Sequence, residues 1–193
     1  MIKANGHFKA RLVTKGFTQV QGIDYEETFS PVLRYESIQY ILAHAALLDW
    51  EIEAMDVKMA FLYGELKEEI YMEQPEGFII KGQEKKVCKL IKSIYGLKQA
   101  GQIWYELMAD TLRRKLGFEW IHSDAGVYVL RRQGGNQTEI ILILYVDDLL
   151  LMGNHLSMIN KIKKKLGEAY HMKDLGAAQP YLGIRITRDC AHQ

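Results

Sequence analysis

Asp147 and Asp148 sit side by side between two strongly apolar runs, Ile140-Ile141-Leu142-Ile143-Leu144 and Leu149-Leu150-Leu151-Met152. Unpaired buried charge is costly, so the flanks and the carboxylates cannot share one environment. A β-hairpin reconciles them: the apolar runs enter a buried sheet, and a tight turn at Tyr145-Val146-Asp147-Asp148 lifts the two carboxylates out of it. Held there, they suit hard divalent cations, which take oxygen ligands.

A second carboxylate breaks its pattern in the same way. From Trp50 to Val57 the chain alternates with period two, so Trp50, Ile52, Ala54 and Asp56 share one face. Three carboxylates at neighbouring strand ends would suit two divalent cations about 3.5–4 Å apart. Magnesium is the ion that best combines carboxylate with substrate phosphate oxygens, and manganese can replace it. The residues alone leave other readings open: Asp-Asp is also an ordinary polar turn, and Asp56 can cap a following helix. Asp-Thr-Gly and Walker A sequences are absent, which argues against an aspartic protease and a P-loop nucleotidase.

The remaining chain reads as α+β. Ser37 can cap a helix running to about Leu48 with an apolar stripe at Ile38, Ile41, Leu42, Ala45 and Leu48. A second helix is expected over Ala100 to Leu116, stopped by Gly117, and a third over Ser157 to Ala169. Strands are expected at 7–17 (with Lys9, Arg11 and Lys15), 50–57, 87–91, 127–130 and 139–152, with a last one from Tyr181 to Ile186. Turns fall at 74–77, 95–96 and 134–136. This alternation predicts an antiparallel sheet with helices packed on one face. A length of 193 residues and 48% hydrophobic content support one domain, or one domain with a small lobe. The net charge of +1 confines any nucleic-acid contact to local basic patches at 9–15, 85–92, 113–115 and 161–165. Cys88 and Cys190 have no zinc spacing and predict no disulfide framework. No apolar run reaches a membrane span.

The ordered series of short motifs resembles the reverse transcriptase domain of copia-type (Pseudoviridae) long-terminal-repeat retrotransposon Pol polyproteins. It runs through Lys9-Ala10-Arg11-Leu12-Val13, Thr28-Phe29-Ser30-Pro31-Val32, Met55-Asp56-Val57-Lys58, Ala60-Phe61-Leu62 and Ile70-Tyr71-Met72-Glu73-Gln74-Pro75. It continues through Tyr95-Gly96-Leu97-Lys98-Gln99-Ala100, Tyr145-Val146-Asp147-Asp148, Met172-Lys173-Asp174-Leu175-Gly176 and Tyr181-Leu182-Gly183-Ile184. The resemblance implies an RNA-directed DNA polymerase with a right-hand fold of palm and fingers. On that pattern, 7–35 is a fingers edge segment, 37–74 is palm with the first aspartate, 75–105 returns between fingers and palm, and 106–193 is palm.

Asp56, Asp147 and Asp148 fall on the family's catalytic aspartates, with the Val57 carbonyl as a further metal ligand for two Mg2+ ions. Lys9, Arg11, Met59, Ala60, Phe61, Tyr95 and Gly96 fall on the deoxynucleotide pocket, Phe61 as the aromatic gate beside the sugar. Tyr145, Val146, Tyr181, Leu182 and Gly183 fall on the primer-binding segment. Met59 stands where the family usually has asparagine. The expected partners are an RNA or DNA template with its primer, deoxynucleoside triphosphates, and the thumb, ribonuclease H and integrase regions of a longer polyprotein. Only seven residues follow Ile186, too few for those regions. The family's setting implies cytoplasmic particles and later nuclear entry of the DNA product. The alternative expectation is a truncated, inactive remnant that at most binds nucleic acid.

Overall fold

The computed structural model describes residues 6, 8, 10–132 and 138–188. In chain order its elements are α1 (Tyr35–Leu47), β1 (Glu51–Val57), β2 (Glu65–Glu73), β3 (Val87–Lys92), α2 (Ala100–Asp110), β4 (Glu119–Ile121), β5 (Asp124–Arg132), β6 (Thr138–Tyr145), β7 (Asp148–Gly153), α3 (Leu156–Ala169), β8 (Met172–Ala177), β9 (Pro180–Tyr181) and β10 (Ile184–Arg185). They divide between two units, Met1–Ser30 with Met59–Leu107, and Pro31–Lys58 with Met108–Gln193. The expected loop at 134–136, Lys9 and Cys190 lie outside the described residues.

The second unit is built on an antiparallel sheet of order β4-β5-β6-β7-β1-β8. Its centre is the expected hairpin: β6 and β7 pair from Ile140↔Gly153 to Tyr145↔Asp148, and Leu149 to Met152 are wholly buried. One face packs against α1, joining Ile38, Ile41 and Ala45 to Trp50, Ala54, Val127, Ile143 and Leu150. The helix begins at Tyr35, two residues before the expected Ser37 cap. Its N-cap, Arg34, makes no side-chain cap, and the Arg34 N–H donates to Asp124 Oδ2 (3.0 Å).

The other face is covered too, so the expected one-sided sheet is corrected. Glu53 points away from Ala54 by strand alternation, and Lys163 of α3 reaches it there. The central strands carry hydrocarbon on both sides, and each side needs its own cover. The last turn of the second helix winds as a π-helix at Thr111–Lys115, and Gly117 (φ 79°) stops it as expected.

The first unit has a smaller core. β2 and β3 pair antiparallel, and Ile70, Ile94, Leu97 and Ala100 cluster with Phe61, Leu66, Met72 and Leu90. β2 escaped the sequence reading because Glu68 interrupts an otherwise alternating Leu66, Ile70, Met72 face. Residues 10–15 form no strand, contrary to expectation. The Lys15 carbonyl accepts locally from the Thr18 N–H (2.9 Å), and the Thr14 N–H crosses to donate to the Tyr95 carbonyl (2.9 Å).

That crossing explains Gly96. Its φ is +95°, and an added Cβ would stand 2.2 Å from the Thr14 carbonyl oxygen. Gly96→Ala is expected to destabilise by about 2–4 kcal/mol. Gly167→Ala, on the open face of α3 with nothing within 4 Å, should stabilise by about 0.5–1 kcal/mol. Urea denaturation of both variants checks the contrast.

Lys163 supplies a second test. Its side chain is 6% exposed and bonds Glu53 Oε2 (2.6 Å) and Asp174 Oδ1 (2.5 Å). Burial pulls the Lys163 ammonium down, but its two carboxylate partners outweigh that and raise it. Burial pushes the Asp174 carboxyl up, but Lys163 and the Gly176 N–H outweigh that and hold it below the usual carboxylate range. A depressed carboxyl contributes stability above its unfolded pKa and loses it as pH falls through the folded value. A raised ammonium contributes below its unfolded pKa and loses it as pH rises through the folded value. Lys163→Met leaves Glu53 without its partner and should cost about 3 kcal/mol near neutral pH. The deficit should be greatest between about pH 5 and 10 and narrow on either side, as chemical denaturation at several pH values would record.

Candidate active site

β1 and β7 are adjacent antiparallel strands whose register makes Asp56 the direct partner of Asp148. Cross-strand partners project to the same face, so the two carboxylates stand together at one end of the face that carries Ala54 and Leu150. Tyr145 pairs with Asp148 from the other side and faces the same way. The turn between β6 and β7 is Val146–Asp147. Its backbone is tied to β1, because the Val57 N–H donates to the Asp147 carbonyl (2.8 Å). Val146 takes φ 54°, a left-handed conformation that a β-branched residue adopts only against steric cost.

The electrostatics match this crowding. Burial, then the charges of Asp147 and Asp56, push the Asp148 carboxyl above its usual range, with Lys58 opposing them. Tyr181 is 5% exposed, and its hydroxyl has no hydrogen-bond partner among the described residues. Burial, then the Asp148 and Tyr145 charges, hold that phenol far above its ordinary value.

The structure therefore brings Asp56 and Asp148 side by side, with Asp147 within electrostatic reach. Among the described residues, however, no three His, Cys, Asp or Glu side chains form a metal-binding group as they stand. Instead the Lys58 ammonium is hydrogen-bonded to Asp56 Oδ2. Sequence reasoning placed Lys58 within a motif but gave it no role. The available signal was its position two residues beyond Asp56, on the same alternating face. Val57, the expected carbonyl ligand, is buried and pairs with Met172 of β8.

The expected primer-binding strand is corrected. Tyr181 to Ile186 is not one strand but the hairpin β9–β10, turning at Leu182 (φ 47°) and Gly183 (φ 83°). Two consecutive positive φ angles make the tight turn that matches strand twist, and Gly183 is suited to it.

In the first unit the structure gathers most of the expected nucleotide residues. The Arg11 guanidinium lies 5.2 Å from the Tyr95 ring centroid, and Phe61 meets Tyr95 edge to face at 4.9 Å. Gly96 follows at the crossing with Thr14. Behind this turn, the Gln19 amide donates to Gln99 Oε1 (3.0 Å), and the Lys98 N–H donates to Gln19 Oε1 (2.8 Å). Ala60 is buried.

Met59 is 55% exposed with φ 56° and ψ 43°. Asparagine tolerates that region better than methionine. Met59→Asn is expected to raise stability by about 1 kcal/mol, measurable as a shift in the denaturation midpoint.

The register thus places paired carboxylates at the hairpin end of an antiparallel sheet. The chain belongs to the reverse transcriptase (RNA-dependent DNA polymerase) family, whose model matches residues 2–192, and within it to the copia type. It is 51% identical over 182 residues to the retrovirus-related Pol polyprotein from transposon TNT 1-94 of Nicotiana tabacum, covering 94% of this chain and 14% of the relative. It is 40% identical over 181 residues to the Pol polyprotein from transposon RE1 of Arabidopsis thaliana, covering 94% and 12%. It is 30% identical over 176 residues to the transposon Ty1-ER2 Gag-Pol polyprotein of Saccharomyces cerevisiae, covering 89% and 9%. The chain thus spans about one-seventh or less of these relatives' length. No solved structure gives a significant match. Among the described residues, no helix is long and apolar enough to cross a membrane.

Proposed function

We propose that this chain is the palm and fingers of a reverse transcriptase, extending a primer on an RNA or DNA template. The observation that carries the reading is the Asp56↔Asp148 register, which stands two carboxylates together beside Asp147 at the end of an otherwise apolar sheet. Pol polyprotein relatives support it. The unit built on the six-stranded sheet takes the palm role and the β2–β3 unit the fingers role, which moves 59–74 from the expected palm to the fingers and 31–35 from the expected fingers to the palm. The thumb, ribonuclease H and integrase functions belong to other regions of the polyprotein.

The donor set fits a hard divalent cation, since it is all oxygen, anionic and crowded. Asp56, Asp147, Asp148 and the Val57 carbonyl would hold two Mg2+ ions, or Mn2+ in their place. Such ions lower the pKa of a primer 3′-hydroxyl and neutralise triphosphate charge. In the reaction, the 3′-hydroxyl attacks the α-phosphate of a deoxynucleoside triphosphate and pyrophosphate leaves.

The protein's other residues position the reactants. Arg11 offers a planar fork to phosphate, held near the Tyr95 ring by cation–π contact, and Lys9 adds charge. Phe61 presents its ring to the sugar and excludes a 2′-hydroxyl, with Met59 and Ala60 completing that wall. Gly96 lets the Thr14 backbone cross the Tyr95 turn, which seats Arg11 beside the Tyr95 ring. Tyr145, Val146, Tyr181, Leu182 and Gly183 seat the primer end. Family setting supports action in cytoplasmic particles.

The test is primer extension on poly(rA)–oligo(dT) with magnesium or manganese. Asp147→Asn is expected to abolish extension without lowering the melting temperature, since it removes one of three like charges. Phe61→Ala is expected to narrow the preference for deoxy- over ribonucleotides by about tenfold or more. Extension by Asp147→Asn at the wild-type rate would sink the carboxylate assignment. Retained duplex binding with no extension by the wild-type chain would replace this reading with a nucleic-acid-binding domain.

A further inference from the structure

We infer that Lys58 is a resident counter-cation of the carboxylate cluster, which an incoming divalent ion must displace. The inference rests on the polymerase reading of Asp56, Asp147 and Asp148, and adds to it a residue that sets how readily the cluster takes up metal.

Three observations carry it. First, the Lys58 ammonium is hydrogen-bonded to Asp56 Oδ2, so a cation that takes Asp56 through this oxygen meets a like charge already bound there. Its charge also reaches Asp148, where it opposes burial and the two neighbouring carboxylates. Lys58 thus does electrostatically, with one charge, part of what a divalent ion would do with two.

Second, the main chain at this point is held by the sheet, whereas the side chain is held only through its exposed head at Asp56. The Lys58 N–H donates to the His171 carbonyl (2.8 Å), and the preceding Val57 N–H donates to the Asp147 carbonyl (2.8 Å). The side chain is 42% exposed. A four-carbon stem with an exposed head can swing away while β1 stays paired. Displacement therefore needs rotamer changes only, with no shift of the strands that position Asp56 and Asp148.

Third, the fold supplies an internal comparison. Lys173 of β8 is the cross-strand partner of Asp56, yet it makes no ion pair with Asp56 among the described residues. It carries the same charge into the same neighbourhood without occupying the carboxylate oxygen. Lys173 contributes field alone, whereas Lys58 contributes field and direct competition. By contrast, Lys163 on the opposite face is 6% exposed and is held by two carboxylates at once, Glu53 and Asp174.

The experiment measures Mn2+ binding to the whole chain by titration calorimetry without nucleotide. Removing a unit charge at contact distance should tighten binding roughly 5- to 30-fold in Lys58→Met, for an effective dielectric between bulk water and a protein surface. Lys58→Arg should stay near wild type, because it keeps the cation. Lys173→Met should change affinity less than Lys58→Met, and Asp56→Asn should weaken it strongly. If Lys58→Met binds no tighter while Asp56→Asn still weakens binding, the role of Lys58 falls and the metal site stands. Equal tightening by Lys173→Met would reduce the effect to general charge and overturn displacement. If Asp56→Asn binds as wild type does, the metal assignment itself fails, and this inference with it.

A second measurement needs no variant. Reductive methylation of Lys58 in the wild-type chain, read by mass spectrometry, should accelerate when Mn2+ is added, because the freed amine becomes accessible. Unchanged reactivity at saturating Mn2+ would overturn the inference.

Discussion

The pairing of β1 with β7 organises the second unit. Side chains alternate with period two, so a slip of one residue would carry Asp56 to the opposite face, away from Asp148. The same slip would turn Ala54 out of the α1 cluster. Hydrocarbon burial along these two strands therefore selects the register, and the register places the carboxylates. Like charges facing each other across strands oppose pairing. The apolar run behind them, wholly buried from Leu149 to Met152, is what holds them in place.

Because the sheet is covered on both faces, charge is tolerated only where partners or solvent are available. Two lysines show the two solutions. Lys163 is itself buried and bonds the largely buried Glu53 and the exposed Asp174, tying α3 to β1 and β8. Lys58 lies at the open end of the sheet beside a surplus of carboxylates, with its head partly in solvent. The first geometry suits stability, and the second suits exchange.

Among the described residues four non-glycine positions take positive φ; Asp49 turns the chain from α1 into β1, and the other three lie near the assigned residues. Met59, Val146 and Leu182 all take positive φ, and each adjoins residues assigned to the site. Strained conformations persist only where surrounding structure over-determines them. At Val146 the constraint comes from the β6–β7 ladder on both sides and from the Val57–Asp147 hydrogen bond. At Leu182 it comes from the short β9–β10 hairpin.

Much of this was legible locally. The hairpin, the strand ending at Asp56, and the stripes of α1 and α3 are contiguous patterns of burial, and burial is recorded residue by residue in the order of the chain. The ordered motifs were sufficient to indicate the family. Edge elements were not legible: β4 (Glu119–Ile121) is three residues long, β8 (Met172–Ala177) is largely exposed, and β2 is interrupted by Glu68. Tyr181 to Ile186 reads as one apolar strand, yet the structure folds it back on itself at Leu182-Gly183. The sequence by itself determined which residues are chemically capable of holding a cation and which segments must be buried. Tertiary structure alone decided that Asp56 faces Asp148, that Lys58 occupies Asp56, and that Lys173 lies opposite without pairing. Those facts depend on strand register between segments far apart in the chain, and register is set by packing the whole sheet at once.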